Sequence, residues 1–224
     1  MIDYNNYKSI LCLNGDLPTA SFFNRGLPVI AADGAANTLM KMGVTPQLVI
    51  GDLDSLEPQY ASQLNLQLHY DQNLCDFQKA LLYLKEKQFL PAIVLGINGG
   101  YLDHVLNNIN IFLGTDCVLY APPFCGYILR ANEKKSLRLP LNTKISLMGI
   151  PSAEISTKGL KWELTDYHMS FPGYNSCFNR TIQDEIHLDV HNGVALVLIY
   201  SEITLSSLSN SRVVDGDKDV FPVI

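Results

Sequence analysis

The pattern of strand-like and helix-like segments changes near residue 120, and this change constrains the fold more than any other feature. Before it, short runs rich in β-branched residues alternate with stretches whose apolar residues recur at helical spacing. Such alternation is typical of βαβ units around a parallel sheet. After "APPFCG" (121–126), short strand-like runs follow one another, separated by Gly, Pro and Asn. The sequence therefore predicts an α/β N-terminal domain with a mostly parallel sheet flanked by helices, followed by a compact C-terminal all-β domain.

The periodicity also predicts the individual elements. The strands expected in the first domain are "SILCLNG", "LPVIAADG", "PQLVIGD", "LQLHYD", "PAIVLGINGG" and "DCVLYAP". The expected helices are "AANTLMKMG", "DFQKALLYLKEKQ" and "LDHVLNNINIFLG". The strands expected in the second domain are "YILRAN", "KSLRLP", "KISLMGI", "EISTKGL", "EIHLDV" and "VALVLIYSEI". We place the boundary between residues 122 and 135, which gives domains 1–128 and 129–224.

The composition argues against several classes of protein. Hydrophobic residues make up 47% of the chain and charged residues 17%, as in a folded protein. The net charge of −6, without a basic cluster, disfavours a nucleic-acid partner. There is neither a signal-peptide pattern nor an apolar run long enough to span a bilayer. We therefore expect a cytoplasmic protein with no membrane partner. Because five scattered cysteines form no paired C-x-x-C motif, we expect them to be reduced and mostly buried.

Several acidic residues follow the expected strands. Asp33 ends "VIAAD", Asp52 and Asp54 follow "LVIG", Asp71 ends "LQLHYD", and Asp76 opens the next helix. Ligands of an open α/β sheet bind outside the carboxyl ends of its strands. Asp52 and Asp54 are two residues apart, so in an extended segment both carboxylates would point to the same side.

These acids have two interpretations. An isolated Asp-x-Asp after a strand is more often a solvated turn or a helix cap than a metal site. Carboxylates that converge repel one another, however, and this repulsion raises their pKa values unless a cation neutralises them. The array as a whole therefore favours a site for magnesium, a hard cation that prefers carboxylate oxygens.

A glycine-rich stretch supplies a second candidate site. "GINGGYLDH" (96–104) joins an expected strand to a helix that begins near Asp103, where backbone amides and the helix dipole can hold a phosphate. Glycines at such a turn also serve geometry alone. Lys79, one helical turn after Asp76, either adds a positive charge for phosphates or forms an ion pair within its helix. His104 either lines the site or is an ordinary residue of the helix start.

Five stretches, in the expected order, resemble motifs of the thiamin pyrophosphokinase family. They are "DGAAN" (33–37), "GDLDS" (51–55), "DQNLCDFQKAL" (71–81), "GGYLDH" (99–104) and "TKGLKWEL" (157–164). The resemblance implies an α/β domain that binds ATP and Mg²⁺, a C-terminal β-sandwich, and a homodimer with thiamin sites between subunits. It also implies transfer of the terminal diphosphate of ATP to the hydroxyl of thiamin, which gives thiamin diphosphate and AMP.

The resemblance further implies roles for individual residues. The expected magnesium ligands are Asp52, Asp54 and Asp76, and the expected catalytic residues are these three and Asp103. The residues expected to bind ATP and its phosphates are Asp33, Gly34, Asn37, Gln72, Lys79, Gly99, Gly100 and His104. The residues expected to bind thiamin are Trp162, which would stack on the ligand, Ser176, Asn179 and Gln72.

The sequence departs from the family pattern at a few positions. Tyr101 stands where the family usually has an arginine directed at phosphates, and Arg130 and Lys79 are candidates to replace that charge. The other main departures are Asn73, Cys75 and Phe178, which replace an Asp, a Thr and a Ser. We therefore expect the contacts to thiamin and the stabilisation of the transition state to differ in detail.

Two other functions remain open at this point. The first is a magnesium-dependent diphosphokinase or nucleotide phosphohydrolase with a different acceptor, against which Trp162 in "GLKW" argues. The second is a noncatalytic protein that binds a nucleotide or thiamin. The intact acids disfavour it, because a protein that only binds has less need of metals beside the phosphates.

Overall fold

The structure, a computed structural model, describes residues 6–200. The helices are α1 (Ala35–Lys41), α2 (Pro58–Ala61), α3 (Asp76–Glu86) and α4 (Leu102–Phe112), with a 3-10 helix at Ala20–Phe23. The first six strands are β1 (Ser9–Cys12), β2 (Val29–Ala32), β3 (Leu48–Gly51), β4 (Leu66–Leu68), β5 (Ala92–Leu95) and β6 (Val118–Ala121). The others are β7 (Phe124–Arg130), β8 (Glu133–Arg138), β9 (Lys144–Lys158), β10 (Tyr167–Ser170), β11 (Ser176–Arg180) and β12 (Glu185–Tyr200).

The strands β1 to β6 form a parallel sheet in the order β4-β3-β2-β1-β5-β6. Strand order reverses between β1 and β5, because successive strands are added on one side of β1 and then on the other. All carboxyl ends lie at one edge of this sheet. The crevice at the reversal point is where open α/β sheets hold their ligands.

Both faces of the parallel sheet are covered. Strands β1, β2, β3 and β5 are buried along their whole length. On one face, α3 and α4 pack against the sheet through Phe77, Leu84 and Phe112. On the other face, α1 and the 3-10 helix pack through Leu39 and Phe22. Within residues 6–200, no helix is both long and apolar enough to cross a membrane.

The two halves of the molecule share one hydrogen-bonded sheet. Strand β7 pairs antiparallel with β6, Leu119 opposite Gly126, and it pairs with β12 on its other side. The predicted boundary at 128/129 falls inside β7. The prediction of a parallel, helix-flanked sheet is therefore confirmed in outline only, since few helices cover it and the sheet as a whole is mixed.

The second half is built from two long strands. Strands β9 and β12 span 15 and 16 residues, and both halves of each face one apolar core that includes Leu147, Ile155, Leu188 and Val197. The antiparallel layer thus folds over on itself, in agreement with an all-β second half.

Each long strand joins two strands that we expected to be separate. Between Gly149 and Ala153 the register with β12 shifts, and Pro151 lies in that irregular part. A proline is tolerated there because it interrupts no ladder hydrogen bond. The sequence analysis missed β10, β11, α2 and the 3-10 helix. The last three residues of the expected strand "VALVLIYSEI" lie outside the described residues.

Candidate active site

Three carboxylates meet at the carboxyl edge of the parallel sheet. Asp33 follows β2, and Asp52 and Asp54 follow the neighbouring strand β3. One oxygen of each lies within 4.8 Å of one oxygen of the others. Asp33 is buried, with 5% of its surface exposed, whereas Asp54 is exposed. The convergence follows from the topology, because β2 and β3 are adjacent and parallel.

The backbone allows this close approach at two positions. A Cβ atom on Gly51 would lie 2.8 Å from the Cβ atom of Asp33, so only glycine fits there. Leu53 has a φ of 65° and thus is not extended, contrary to the geometry that we expected between Asp52 and Asp54. The two acids are brought together by a turn instead, in which the amide of Asp54 donates to Oδ1 of Asp52 at 3.5 Å.

Neighbouring side chains hold the acidic loop in place. Gln72 donates from Nε2 to Oδ2 of Asp52 at 3.2 Å, and Ser55 donates to Oδ1 of Asp54 at 2.9 Å. Asn37 donates to the carbonyl of Ser55 at 2.8 Å and accepts from the amide of Glu57 at 2.8 Å. Asn37, which we expected to bind ATP, therefore ties α1 to this loop.

Asp76 and Lys79 lie beside the three acids. The Lys79 ammonium is 3.0 Å from Oδ1 of Asp76 and 3.9 Å from Oδ2 of Asp52. Only 3% of the Lys79 side chain is exposed. Lys79, expected at the phosphates of ATP, thus contacts carboxylates from within the fold.

The environment shifts the pKa values of these groups in different directions. Burial raises the pKa of Asp33, and the charges of Asp76, Asp54 and Asp52 raise it further, against the opposing effect of the nearby Ser55 hydroxyl. The hydrogen bond from Gln72 lowers the pKa of Asp52. Burial alone would lower the pKa of Lys79, but its bond to Asp76 and the nearby carboxylates raise it overall.

The donor set suits a hard cation. In the part of the chain that the structure describes, Oδ1 of Asp33 is buried without a hydrogen-bond partner. A buried carboxylate oxygen without a partner is costly, and a bound cation would satisfy it. The cluster offers only oxygen atoms, which are the ligands that Mg²⁺ prefers.

A second set of groups lies at the reversal point of strand order. Gly99 and Gly100, with φ values of 87° and 77°, form the loop after β5, as the glycine-rich stretch predicted. Sequence analysis missed the facing loop after β1, where a Cβ atom on Gly15 would lie 2.1 Å from the carbonyl of Asn98. Asp16 joins the two loops, because its amide donates to that carbonyl at 2.8 Å and its carboxylate accepts from the Asn98 side chain at 3.3 Å. The signal for this loop was the Asn-Gly pair that follows the first strand of an α/β sheet.

Other predicted residues lie near this loop. A Cβ atom on Gly34 would lie 2.8 Å from the Asn14 side chain, so Gly34 packs against the loop after β1. Asp103 and His104 lie in the first turn of α4, and both are largely exposed. Nδ1 of His104 is 3.1 Å from Oδ1 of Asp103. Asp71 is exposed and accepts hydrogen bonds from Asn73 in a turn. The structure places Asp103 and Asp71 outside the group of Asp33, Asp52 and Asp54.

Arg130 does not replace the missing arginine at position 101. Its guanidinium pairs with Asp116 at 3.0 Å and donates to the carbonyl of Thr115 at 2.9 Å. These two residues precede β6, so they lie at the amino end of the parallel strands. That edge of the sheet is opposite the edge that carries the carboxylates.

Three of the four residues expected to bind thiamin, Trp162, Ser176 and Asn179, lie together in the second half, whereas Gln72 lies in the first half and bonds to Asp52. Asn179 is almost fully buried, accepts from the amide of Trp162 at 3.1 Å, and donates to the carbonyl of Trp162 at 2.6 Å and to Oγ of Ser176 at 3.2 Å. The Trp162 side chain is 54% exposed, and the Lys161 ammonium lies 4.7 Å from the centre of its ring system. Phe178 is 50% exposed at a bulge of β11, where its φ is 53°.

Comparison with known families agrees with both halves. The family model described as "Thiamin pyrophosphokinase, catalytic domain" matches residues 20–118, and "Thiamin pyrophosphokinase, vitamin B1 binding domain" matches residues 128–195. The chain belongs to the thiamin pyrophosphokinase family. The first match contains the carboxylates of this thiamin pyrophosphokinase family member, and the second contains Trp162, Ser176 and Asn179.

Individual relatives and solved structures agree with this assignment. Thiamine pyrophosphokinase 3 of Oryza sativa subsp. japonica is 28% identical over an alignment of 210 positions, which covers 76% of this chain and 78% of that protein. Thiamine pyrophosphokinase 1 of Arabidopsis thaliana is 25% identical over an alignment of 225 positions, which covers 81% of this chain and 82% of that protein. The crystal structure of thiamine pyrophosphokinase from Bacillus subtilis has a TM-score of 0.72 at 21% identity and covers 88% of this chain and all of its own. The yeast thiamin pyrophosphokinase structure has a TM-score of 0.73 at 18% identity, and the match covers 88% of this chain and 87% of the yeast chain. The fold is therefore shared.

Proposed function

We propose that this protein is a thiamin diphosphokinase, which transfers the diphosphate of ATP to the hydroxyl of thiamin and releases AMP. The observation that carries the proposal is the convergence of Asp33, Asp52 and Asp54 within the part of the chain that matches the family's catalytic domain. The partly exposed Trp162 supports it from the part that matches the vitamin B1 binding domain.

We propose that the acids hold magnesium. Asp52 and Asp54 would be ligands, with the unpartnered Oδ1 of Asp33 as a third donor. Asp76, which we also expected as a ligand, is not one of the three converging acids and is bonded to Lys79 beside them. Bound Mg²⁺ would neutralise the phosphate oxygens, and such charge neutralisation supplies most of the catalysis in phosphoryl transfer. Gln72 and Ser55 keep the carboxylates in their observed orientation by donating to Asp52 and Asp54.

The nucleotide would lie in the crevice between the loops after β1 and β5. A Cβ atom on Gly99 would lie 2.7 Å from Oδ1 of Asp16, whereas a Cβ atom on Gly100 would meet only the carbonyl of Asn14, at 4.0 Å. The backbone at Gly100 is therefore open enough for its amide to approach a phosphate oxygen closely. Asp16 fixes the two loops to each other. Gly34 supports this nucleotide site by packing against the loop after β1, and Asn37 supports it by holding the loop that carries Asp52 and Asp54.

The thiamin would stack on Trp162. Its thiazolium ring carries a permanent positive charge, and an aromatic face attracts a cation by about 1 kcal/mol. The net charge of −6 favours the approach of a cationic substrate. Asn179 is buried and bonds to both the backbone amide and the carbonyl of Trp162, so we propose that it positions Trp162. Ser176 accepts a hydrogen bond from the same Asn179 side chain.

The resemblance to the family supports three further parts of the proposal. They are a homodimer with thiamin sites between subunits, a division of labour between residues 1–128 and 129–224, and a cytoplasmic location. The exposure of Trp162 and Phe178 supports the first, because apolar side chains at a surface are commonly covered by a ligand or a partner chain.

One assay tests the function. The purified protein is incubated with ATP, Mg²⁺ and thiamin, and AMP and thiamin diphosphate are both quantified. We expect the two products in equal amounts and neither product after chelation of the metal with EDTA. Phosphate release without thiamin, or binding of both substrates without turnover, would contradict the proposal.

A further inference from the structure

Lys79 has an unusual position for a lysine. It is 3% exposed, and lysines are rarely buried unless they are paired. Its ammonium is 3.0 Å from Asp76 and 3.9 Å from Asp52, and it extends from α3, which the apolar residues Phe77 and Leu84 fix against the sheet. The position of the charge is therefore set by packed secondary structure.

The Lys79 ammonium contacts only one of the two carboxylate oxygens of Asp76 and one of those of Asp52. Lys79 bonds to Oδ1 of Asp76 and approaches Oδ2 of Asp52. The other oxygens, Oδ2 of Asp76 and Oδ1 of Asp52, face neither of these contacts. An ammonium bound to one oxygen of a carboxylate fixes the direction of the second oxygen, as partners of metal-binding carboxylates generally do.

We propose that Lys79 is a positioning residue for the carboxylate cluster, a built-in cation that holds Asp52 and Asp76 in place before any metal binds. Lys79 counters the mutual repulsion of four nearby acids, Asp33, Asp52, Asp54 and Asp76. This role differs from direct contact with the phosphates of ATP, because the ammonium is buried and already bonded to carboxylates. The kinetic part of the proposal rests on the thiamin diphosphokinase activity, and the stability part does not.

The first experiment measures thermal unfolding without nucleotide, in EDTA and then in saturating MgCl₂. Lys79→Met removes the charge and keeps most of the aliphatic stem, Lys79→Arg keeps the charge, and Lys85→Met is a control at an exposed lysine of the same helix. In EDTA we expect Lys79→Met to lower the midpoint by roughly 5–10 °C, because it leaves partly buried carboxylates without their cation. We expect Lys79→Arg to lower the unfolding midpoint by less than half of that amount, and Lys85→Met to lower it by less than about 2 °C.

Magnesium alone should restore much of the lost stability. We expect MgCl₂ to recover at least half of the loss in Lys79→Met, since the metal supplies the missing positive charge to the folded state. A midpoint in EDTA equal to that of wild type, or a loss that Mg²⁺ leaves untouched, would overturn the proposal.

A double variant separates charge from packing. Asp76→Asn combined with Lys79→Met removes both partners, so we expect it to be more stable in EDTA than Lys79→Met alone. If Lys79→Met does not fold, a folded double variant supports the same conclusion. A double variant as unstable as the single one overturns it, because the loss would then come from packing.

Steady-state kinetics test the positioning role. We expect kcat of Lys79→Met to fall at least tenfold while KM for ATP changes by less than about threefold, with partial rescue by Lys79→Arg. A tenfold rise in KM for ATP at unchanged kcat would instead show that Lys79 contacts phosphate. A wild-type protein without thiamin diphosphokinase activity would overturn the proposed function and leave the stability results as they stand.

Discussion

The carboxylate cluster and the surroundings of Trp162 differ in how completely one chain builds them. Asp33 and Lys79 are 5% and 3% exposed, and every acid of the cluster is held by a strand end or by a neighbouring hydrogen bond. Trp162 and Phe178 are 54% and 50% exposed, although Asn179 fixes the backbone of Trp162 and Ser146 accepts a hydrogen bond from the amide of Phe178. The site that we propose for the phosphates is therefore preformed, whereas the site that we propose for thiamin still has apolar surface to be covered.

The substitution Asp54→Asn should produce the largest effect, because it removes a charge from the preformed end. We expect turnover to fall by about a hundredfold or more, the magnitude typical for the loss of one group that stabilises charge in the transition state. The measurement is formation of thiamin diphosphate, with circular dichroism to check the fold. Asp184→Asn, at an exposed acid of the second half, is the control. Activity of Asp54→Asn within about twofold of wild type would remove Asp54 from the metal site.

Gly51→Ala tests the same end through its backbone. The new Cβ atom would lie 2.8 Å from the Cβ atom of Asp33 and 3.2 Å from Oδ1 of Asp76, so the carboxylates must move. We expect a loss of about 1–3 kcal/mol in the free energy of unfolding and roughly a tenfold loss of turnover. Gly114→Ala is the control, because its Cβ atom would meet its nearest neighbour at an ordinary 3.4 Å. Equal stability of both variants would contradict the tight packing.

Trp162→Ala should change the other end without changing the first. We expect KM for thiamin to rise about fivefold, which corresponds to the loss of a cation–π contact of about 1 kcal/mol, with KM for ATP nearly unchanged. Trp162→Phe keeps an aromatic face and should lose less. An unchanged KM for thiamin in Trp162→Ala would exclude the stacking role.

Tyr101→Arg should produce the smallest effect. Tyr101 is 77% exposed beside the glycine-rich loop, at the position where the family usually has an arginine. An arginine there can bond to phosphate oxygens, but it would remain in contact with solvent, which screens its charge. We expect kcat to rise about twofold to fivefold, and Tyr101→Phe, without the charge, to match wild type. No gain in Tyr101→Arg would show that the site is complete without this charge.

Much of the N-terminal half could be predicted from its sequence, because topology places the acids. Once β2 and β3 are adjacent and parallel, Asp33 and Asp52 must meet at one edge. The partners of these acids could not be predicted in the same way. The bond of Lys79 to carboxylates depends on how α3 packs, and the turn at Leu53 depends on a backbone angle that leucine rarely adopts.

Long-range pairing explains most of what the sequence did not reveal in the second half. Pro151 resembles a strand end, yet β9 continues past it because the register with β12 shifts there. The loop around Gly15 carries only a short Asn-Gly signal, and its place at the reversal point follows from strand order. The role of Asn179 likewise depends on the approach of β11 to Trp162, which no local pattern encodes.

The pairing of β6 with β7 makes the two ends of the molecule thermodynamically dependent on each other. A cut at residue 128 would expose the unpaired backbone groups of both sides, so neither half is expected to persist as an independent module. The chain should then melt in one cooperative step. Whatever binds at Trp162 will thereby also slow hydrogen exchange in β2 and β3.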